Sequence, residues 1–382
     1  MDWKIPLADL DIGADEIKAV EAVLESRWLT MGAVTRQFEH EFAAFLGVKH
    51  AFAVANGTAA LHLACLALEL GAGDEVIVPS LTFVASANAI RYTGAVPVFA
   101  DIASLDDLNI CPSAIEHCIS KRTRAIMVVH YGGFACDMPA IKTLAEQYNL
   151  KIIEDAAHAI GGELDQIPLG CWGEIGCFSF FSNKNMTTGE GGMVVTNDDE
   201  TANRLRLLRS HGMTTLTWDR HQGRASEYDV VMLGYNYRLD EIRAAIGLVQ
   251  LKKLEFNNQR RRHLSRLYDS LLRQENLPVI LPFQNYRGKS AAHLYPILLP
   301  AEINRRQVME MLKARGIQTS IHYPPVHLFS IYNSGDKKVS HSLPLTEEAC
   351  RRELTLPLFP GMKEEDVSFV VSALKEALEG IL

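Results

Sequence analysis

A lysine, an aspartate and a run of small residues stand where such side chains can do chemistry. Lys184 lies in Phe178-Ser179-Phe180-Phe181-Ser182-Asn183-Lys184-Asn185, after an apolar run and before the glycine-rich Thr187-Thr188-Gly189-Glu190-Gly191-Gly192. A lysine in that setting reads as a buried amine, and burial lowers its pKa and frees the nucleophile for Schiff-base chemistry. Asp155 follows Ile152-Ile153-Glu154 and precedes Ala156-Ala157-His158. An ionised carboxylate at the end of an apolar strand can keep a pyridine nitrogen protonated, and the two alanines leave room for a flat ring. The same Asp155 also suits a cap on the following turn. Asn56-Gly57-Thr58-Ala59-Ala60-Leu61 opens an Ala/Leu-rich helix. Open N–H groups and the helix dipole there suit a phosphate, or Asn56 or Thr58 caps the first turn. The polar, aromatic turn Gly234-Tyr235-Asn236-Tyr237-Arg238-Leu239-Asp240-Glu241 says little alone.

These groups need a scaffold. From Ala51 to Thr196, short β-branched runs alternate with helical stretches, the pattern of parallel strands joined by crossover helices. The runs predict strands at Glu75–Pro79, Val96–Asp101, Arg124–His130, Lys151–Glu154, Gly176–Phe181 and Gly192–Thr196. Helices are predicted at Thr58–Leu70, Val84–Thr93 and Pro139–Asn149. The expected fold class is therefore α/β, a large wound and mostly parallel sheet with its ligand crevice at the carboxyl ends of the strands. A long helical pattern runs from Leu239 to Leu272. After Pro278 come strand-like pieces (His293–Leu299, Gln318–His322) and two helices (Asn304–Arg315, Glu364–Glu379). A chain of 382 residues exceeds one core, so the expected division is 1–250 for the large domain and 251–382 for a smaller C-terminal α/β domain.

Composition narrows the function classes. A formal net charge of −8 argues against a general nucleic-acid binder. The dense basic run Arg260-Arg261-Arg262-His263, with Arg266, reads as a solvated helix face. The first residues lack the order of a signal peptide and no apolar stretch has membrane-spanning length, so the expected location is the cytoplasm, with no membrane partner. Seven cysteines without a C-x-x-C pair read as reduced thiols. Two prolines between His322 and His327 break the helical spacing a metal pair would use, and no metal is expected. Neither G-x-G-x-x-G nor G-x-x-x-x-G-K-[ST] occurs in the required context, which disfavours the common nicotinamide and ATP sites.

Taken together, ANGTAALHLA, EDAAH, CFSFFSNKNMTTGEGGM and GYNYRLDEIRAAIG closely resemble the DegT/DnrJ-type sugar aminotransferases, a branch of the fold-type-I pyridoxal-phosphate enzymes. Weaker blocks, IPLADLDIG, TSIHYPPVH and LTLPLFPGM, extend the resemblance to both ends. It implies pyridoxal 5'-phosphate as cofactor, cycling through pyridoxamine phosphate. Lys184 would form the Schiff base and shuttle the proton, and Asp155 would bond the ring nitrogen. His158 would contact the ring oxygen, and Phe83 and Ala157 would cover the two ring faces. Gly57, Thr58, Ala59 and Ser179 would hold the phosphate, with Asn236 reaching over from a second subunit, so the resemblance implies a homodimer with shared active sites. One departure is local: many members carry His before the lysine, where this chain has Phe181-Ser182-Asn183. A branch with His in place of the lysine performs dehydration, so Lys184 points to amino transfer.

The resemblance further implies L-glutamate as donor and a nucleotide-linked keto sugar as acceptor, with a 4-keto-6-deoxyhexose preferred over a 3-keto sugar or a keto-inositol. The segment from Arg209 to Arg238 is rich in groups that suit phosphates, rings or a donor carboxylate, or else forms a solvated loop. His211, Arg220, Arg238 and, further on, His322 are the substrate candidates. A pyridoxal-phosphate dehydratase and a cofactor-bound regulator without turnover are the rival readings.

Overall fold

The computed structural model describes residues 3–215, 218, 223, 227–333 and 342–381. Its strands are β1 (His50–Val54), β2 (Glu75–Pro79), β3 (Val96–Ala100), β4 (Thr123–Val129), β5 (Lys151–Asp155), β6 (Glu163–Leu164), β7 (Ile167–Pro168), β8 (Ile175–Ser179), β9 (Gly192–Thr196), β10 (Tyr295–Leu298) and β11 (Glu353–Leu356). Seven form one sheet in the order β1-β9-β8-β5-β4-β2-β3. From β3 to β8 every pair is parallel, whereas β9 runs antiparallel to both β8 and β1. The wound, mostly parallel α/β sheet expected from the alternation is present. The expected list lacked the edge strand His50–Val54, which has a single β-branched residue and owes its place to pairing with β9.

Because side chains alternate across a strand, each apolar strand feeds two cores. Val76, Val78, Met127, Ile153, Cys177 and Val194 pack on the face covered by the helices Gly57–Ala67, Ala85–Tyr92 and Asp199–Arg209. Ile77, Ile126, Val128 and Ile152 point the other way, toward the helices Pro112–Cys118 and Met138–Tyr148. Further along that second face, Phe178, Met193 and Val195 meet the helix Ala33–Leu46 and the start of the long helix Glu241–Gln274. The parity of β5 therefore sends Glu154 and Asp155, neighbours in sequence, to opposite faces of the sheet.

The long helix begins where Asp240 caps it, accepting from the Arg243 N–H at 2.9 Å, and runs for 34 residues. Its first part, with Ala244 and Leu254, belongs to the large-sheet core. Its last part, with Leu264, Tyr268 and Leu272, packs in a second core with β10, β11 and the helices Arg305–Ala314 and Glu364–Glu379. Ile5 also packs into that second core.

Two expectations need correction. Gln318–His322 forms no strand, only single bridges such as Ser320 to Thr355, because the Gln318 N–H goes to the Ile5 carbonyl and the His322 N–H to the Glu353 side chain, so neither continues the ladder beside β11. The basic run is not a solvated face throughout. Arg261 is 2% exposed, and its guanidinium donates to the Leu358 carbonyl at 2.8 Å. Arg260 likewise donates to the Met362 carbonyl at 2.8 Å. The chain after β11 leaves those carbonyls without a ladder partner, and guanidinium donors satisfy them. Of the seven cysteines, all free, Cys65, Cys136, Cys177 and Cys350 are buried. No helix among the described residues is long and apolar enough to cross a membrane.

Candidate active site

At the carboxyl ends of β5 and β8, a cavity of about 430 Å³ is lined by residues from six separate stretches of the chain. Gly57, Thr58, Phe83, Asp155, Ala157, His158, Ser179, Lys184 and His322, all singled out from sequence, line it together. A larger hollow of about 570 Å³, between the long helix and residues 281–296, holds none of them.

Asp155 ends β5 on the face of the sheet that carries the helices starting at Gly57 and Ala85. Its Oδ2 accepts from the Ser86 hydroxyl at 2.8 Å and its Oδ1 from the Ala157 N–H at 3.1 Å. Burial raises its pKa, while these two donors and the nearby Lys184 pull it back down. The turn cap and the site carboxylate are thus one residue in two uses. Glu154, on the other face, is fully buried and accepts from the N–H groups of Gly170, Trp172 and Gly173 at 2.6 to 2.7 Å. His130 Nε2 completes this set at 2.9 Å. Since the Cys136 N–H donates to His130 Nδ1, the ring proton sits on Nε2 and is donated to Glu154.

Lys184 is part-buried, and while its backbone N–H donates to the Phe181 carbonyl, its amine makes no hydrogen bond among the described residues. Desolvation lowers its amine from the usual 10.5 to about 8, against the opposing pull of Asp155. An amine so placed is a nucleophile and a base near neutral pH.

At the start of the helix Gly57–Ala67, Asn56 Oδ1 accepts from the Ala59 N–H at 2.8 Å. That bond commits the Ala59 donor, and Ala59 does not line the cavity. The N–H groups of Gly57 and Thr58 have no acceptor among the described residues. A Cβ on Gly57 would lie 2.8 Å from Ser179 Cβ, so glycine is what lets the helix start close on β8. The result is an anion cradle of two free backbone donors and a serine hydroxyl.

His158 is 6% exposed, and burial, followed by the charge of Lys184, holds its pKa well below 6.5. The Gly132 N–H faces its Nδ1 at 3.4 Å, and the Tyr323 hydroxyl lies 3.1 Å from its Nε2. Phe83, 55% exposed, sits at the rim with its ring 5.7 Å from that of Tyr323. Tyr323, Ser86 and Asn183 were not anticipated. Tyr323 sits beside prolines, Ser86 opens a helix with no motif of its own, and only the fold brings either one to Asp155 or His158.

The remaining candidates lie apart from this cavity. Asn236 is exposed, bridged through its backbone to Ser210. Arg238 is half-buried, bridged to Val54, and burial followed by the neighbouring Arg209 lowers its pKa. His211 is exposed, with φ at 60° and its N–H donated to the Tyr235 carbonyl. Arg220 lies outside the described residues.

A reactive amine, a buried carboxylate and an anion cradle in one cavity fit several chemistries, and comparison with known proteins decides among them. Residues 10–375 match the DegT/DnrJ/EryC1/StrS aminotransferase family. The chain belongs to that family. It is a sugar aminotransferase, and the transaminases of the family depend on pyridoxal phosphate. The chain is 40% identical to the spore coat polysaccharide biosynthesis protein SpsC of Bacillus subtilis, covering 100% of this chain and 97% of the other. Among solved structures it resembles Helicobacter pylori PseC, an aminotransferase involved in the biosynthesis of pseudoaminic acid. That match has a TM-score of 0.91 and 32% identity over 98% of this chain and 99% of the other. It also resembles DesI, solved in the presence of its TDP-sugar product, with a TM-score of 0.88 and 31% identity over 99% and 94% of the two chains. These structures share the fold-type-I architecture described above.

The cavity's residues fit the family's cofactor. Gly57 and Ser179 shape a cradle for a phosphate, Asp155 offers a carboxylate to a ring nitrogen, and the unbonded Lys184 amine offers a partner for a carbonyl.

Proposed function

We propose that this family member transfers an amino group from L-glutamate to a nucleotide-linked 4-keto-6-deoxyhexose, as a cytoplasmic homodimer with pyridoxal phosphate held in the Lys184 cavity. The observation that carries the site assignment is the Lys184 amine, unbonded and lowered to about 8, sharing one cavity with buried Asp155 and the free N–H groups of Gly57 and Thr58. In this reading residues 1–250 form the cofactor-binding unit and 251–382 the smaller one.

Gly57, Thr58 and Ser179 would hold the phosphate, Asp155 the ring nitrogen, His158 the ring oxygen, and Phe83 and Ala157 the ring faces. Bound pyridoxal phosphate supplies the carbonyl that takes up the amino group and a ring that draws electrons from the reacting carbon. Lys184 Nζ takes the proton from the donor's α-carbon and returns it to the carbon being aminated. An amine lowered to about 8 does both near neutral pH. Asp155, whose carboxylate accepts from Ser86 and Ala157, would face the ring nitrogen and favour a proton there.

Two further features support the finer parts. Val230, Val231 and Leu233 are exposed beside the Asn236 turn, Leu233 at 85%, and an apolar run of that kind suits a surface covered by a second copy. Asn236 would then reach the neighbouring phosphate. For the acceptor, Arg238 and, in the adjoining segment, Arg220 and His211 offer charge to a diphosphate. The structural neighbour DesI was solved with a TDP-sugar.

The test is a panel of acceptors with glutamate as donor: nucleotide-linked 4-keto and 3-keto hexoses, the free keto sugar and a keto-inositol, read as amino product by mass spectrometry. Amination of the nucleotide-linked 4-keto sugar with little use of the free sugar is expected. Use of a keto-inositol alone would overturn the acceptor, and loss of a hydroxyl group as water without amino transfer would point to a dehydratase.

A further inference from the structure

Behind His322, away from the cavity, three polar groups form a closed chain. Glu353 and Thr355 are alternate residues of β11, so their side chains leave the same face of the strand while Leu354 and Leu356 enter the second core. Glu353 is 0% exposed and Thr355 1%. The backbone N–H of His322 donates to Glu353 Oε2 at 2.9 Å. The Thr355 hydroxyl bonds Glu353 Oε1, and it lies 2.8 Å from His322 Nδ1. The other ring nitrogen, Nε2, makes no hydrogen bond among the described residues, and the ring lines the cavity.

A hydroxyl has one hydrogen to give. When Glu353 is ionised, Thr355 spends that hydrogen on Oε1 and must accept from Nδ1–H, which leaves Nε2 bare. When Glu353 is protonated, the proton goes to Oε1, because Oε2 is taken by a fixed N–H. Oε1–H then donates to Thr355, Thr355 donates to Nδ1, and the ring's own proton moves to Nε2. We propose that Glu353, acting through Thr355, decides which ring nitrogen of His322 carries the proton, and so whether the substrate meets an acceptor or a donor there. The inference rests on the reading of this cavity as the sugar site. It makes Glu353 and Thr355 positioning residues for recognition of the sugar.

The surroundings allow both states. The groups around Glu353 are Thr355, the His322 N–H, Arg305 from the helix Arg305–Ala314, Cys350 from the helix Pro344–Arg352, and the hydroxyls of Tyr131 and Tyr323. Burial outweighs the opposing donors and Arg305, and pushes the carboxyl up to about 7. His322 itself is lowered to about 4 by desolvation and by Lys184, so across neutral pH its ring stays uncharged and only the position of its proton changes.

The relay can be read without turnover. In protein labelled with ¹⁵N-histidine, two-bond proton–nitrogen spectra distinguish the tautomers, and the His322 signals are assigned by their loss in His322→Asn. The wild-type ring should carry its proton on Nδ1 well above pH 7 and on Nε2 well below it. Glu353→Gln presents an amide NH₂ to Thr355 and should fix the proton on Nε2 at both. Thr355→Val should abolish the dependence on pH, and Thr355→Ser, which keeps the hydroxyl, should restore it. In kinetics, Glu353→Gln should lower kcat/KM for the keto sugar by about 10-fold, more than it slows the glutamate half-reaction. If wild type and Glu353→Gln show the same tautomer well above pH 7, or if Thr355→Val still switches, the relay is wrong. A tautomer that follows Glu353 in a protein that aminates no sugar would leave the relay standing and remove the sugar reading.

Discussion

Ser86 donates its hydroxyl hydrogen to Asp155 Oδ2 across 2.8 Å, tying the helix Ala85–Tyr92 to the end of β5. Burial pushes the Asp155 carboxyl up, and this bond is the largest of the influences that bring it back. In Ser86→Ala the carboxyl should rise further, and the acid limb of the glutamate half-reaction should move to higher pH by roughly one unit. Asp155→Asn should slow that half-reaction by about 100-fold or more while the protein still binds cofactor. A pH profile unchanged in Ser86→Ala would show that the bond does not tune the carboxylate.

The two neighbouring acids should fail in different ways. Glu154 is held by three backbone N–H groups and His130, so Glu154→Gln turns an amide NH₂ toward donors that need an acceptor. The expected loss is roughly 3 kcal/mol of folding stability, read as a lower urea midpoint. Asp155→Asn should change that midpoint much less. Equal midpoints for the two variants would deny Glu154 its structural part.

Lys184 predicts a sign for stability against pH in the cofactor-free protein. Its amine is lowered from 10.5 to about 8, so between those values the unfolded chain keeps a proton that the native protein has released. Stability should therefore rise with pH across that window, and below it the buried ammonium imposes its full cost. Lys184→Met should be less sensitive to pH there, the difference between the two proteins changing by on the order of 2–3 kcal/mol. Parallel curves for the two proteins would mean that the amine is not desolvated. In the loaded enzyme, borohydride should fix the cofactor onto Lys184, located by peptide mapping.

Asn236 is exposed and does not line its own cavity, so its proposed contribution is to the site of a partner. Lys184→Ala and Asn236→Ala proteins, each impaired alone, should regain activity when mixed under conditions that exchange subunits. Hybrids that form without any recovery would confine Asn236 to another role.

What the sequence made legible follows from how local each signal is. β4 and β5 are nearly continuous β-branched and apolar runs, and their predicted limits agree with the structure to within one residue at each end. Asp155, Lys184 and the Asn56–Ala59 turn each sit at the end of such a run, so their surroundings can be read from neighbours in the chain. Tyr323 and Glu353 cannot be read in this way. Tyr323 acquires meaning from His158, 165 positions away, and Glu353 from His322, 31 positions away, through contacts that only the packing of β11 against the 317–323 segment creates. Ala59 shows a motif with two readings: its turn suited either open donors for a phosphate or a cap by Asn56, and the fold gives that N–H to Asn56.

The helix Glu241–Gln274 gives the protein its mechanical continuity. Its first turns are locked into the large-sheet core and its last turns into the C-terminal core, with no break in the hydrogen-bonded ladder between them. Neither core can melt without fraying a rod that the other still grips, so heating should produce a single calorimetric transition. For the same reason, chimaeras with a relative should join outside residues 241–274, since a junction within the rod sets one parent's helix face against the other parent's core.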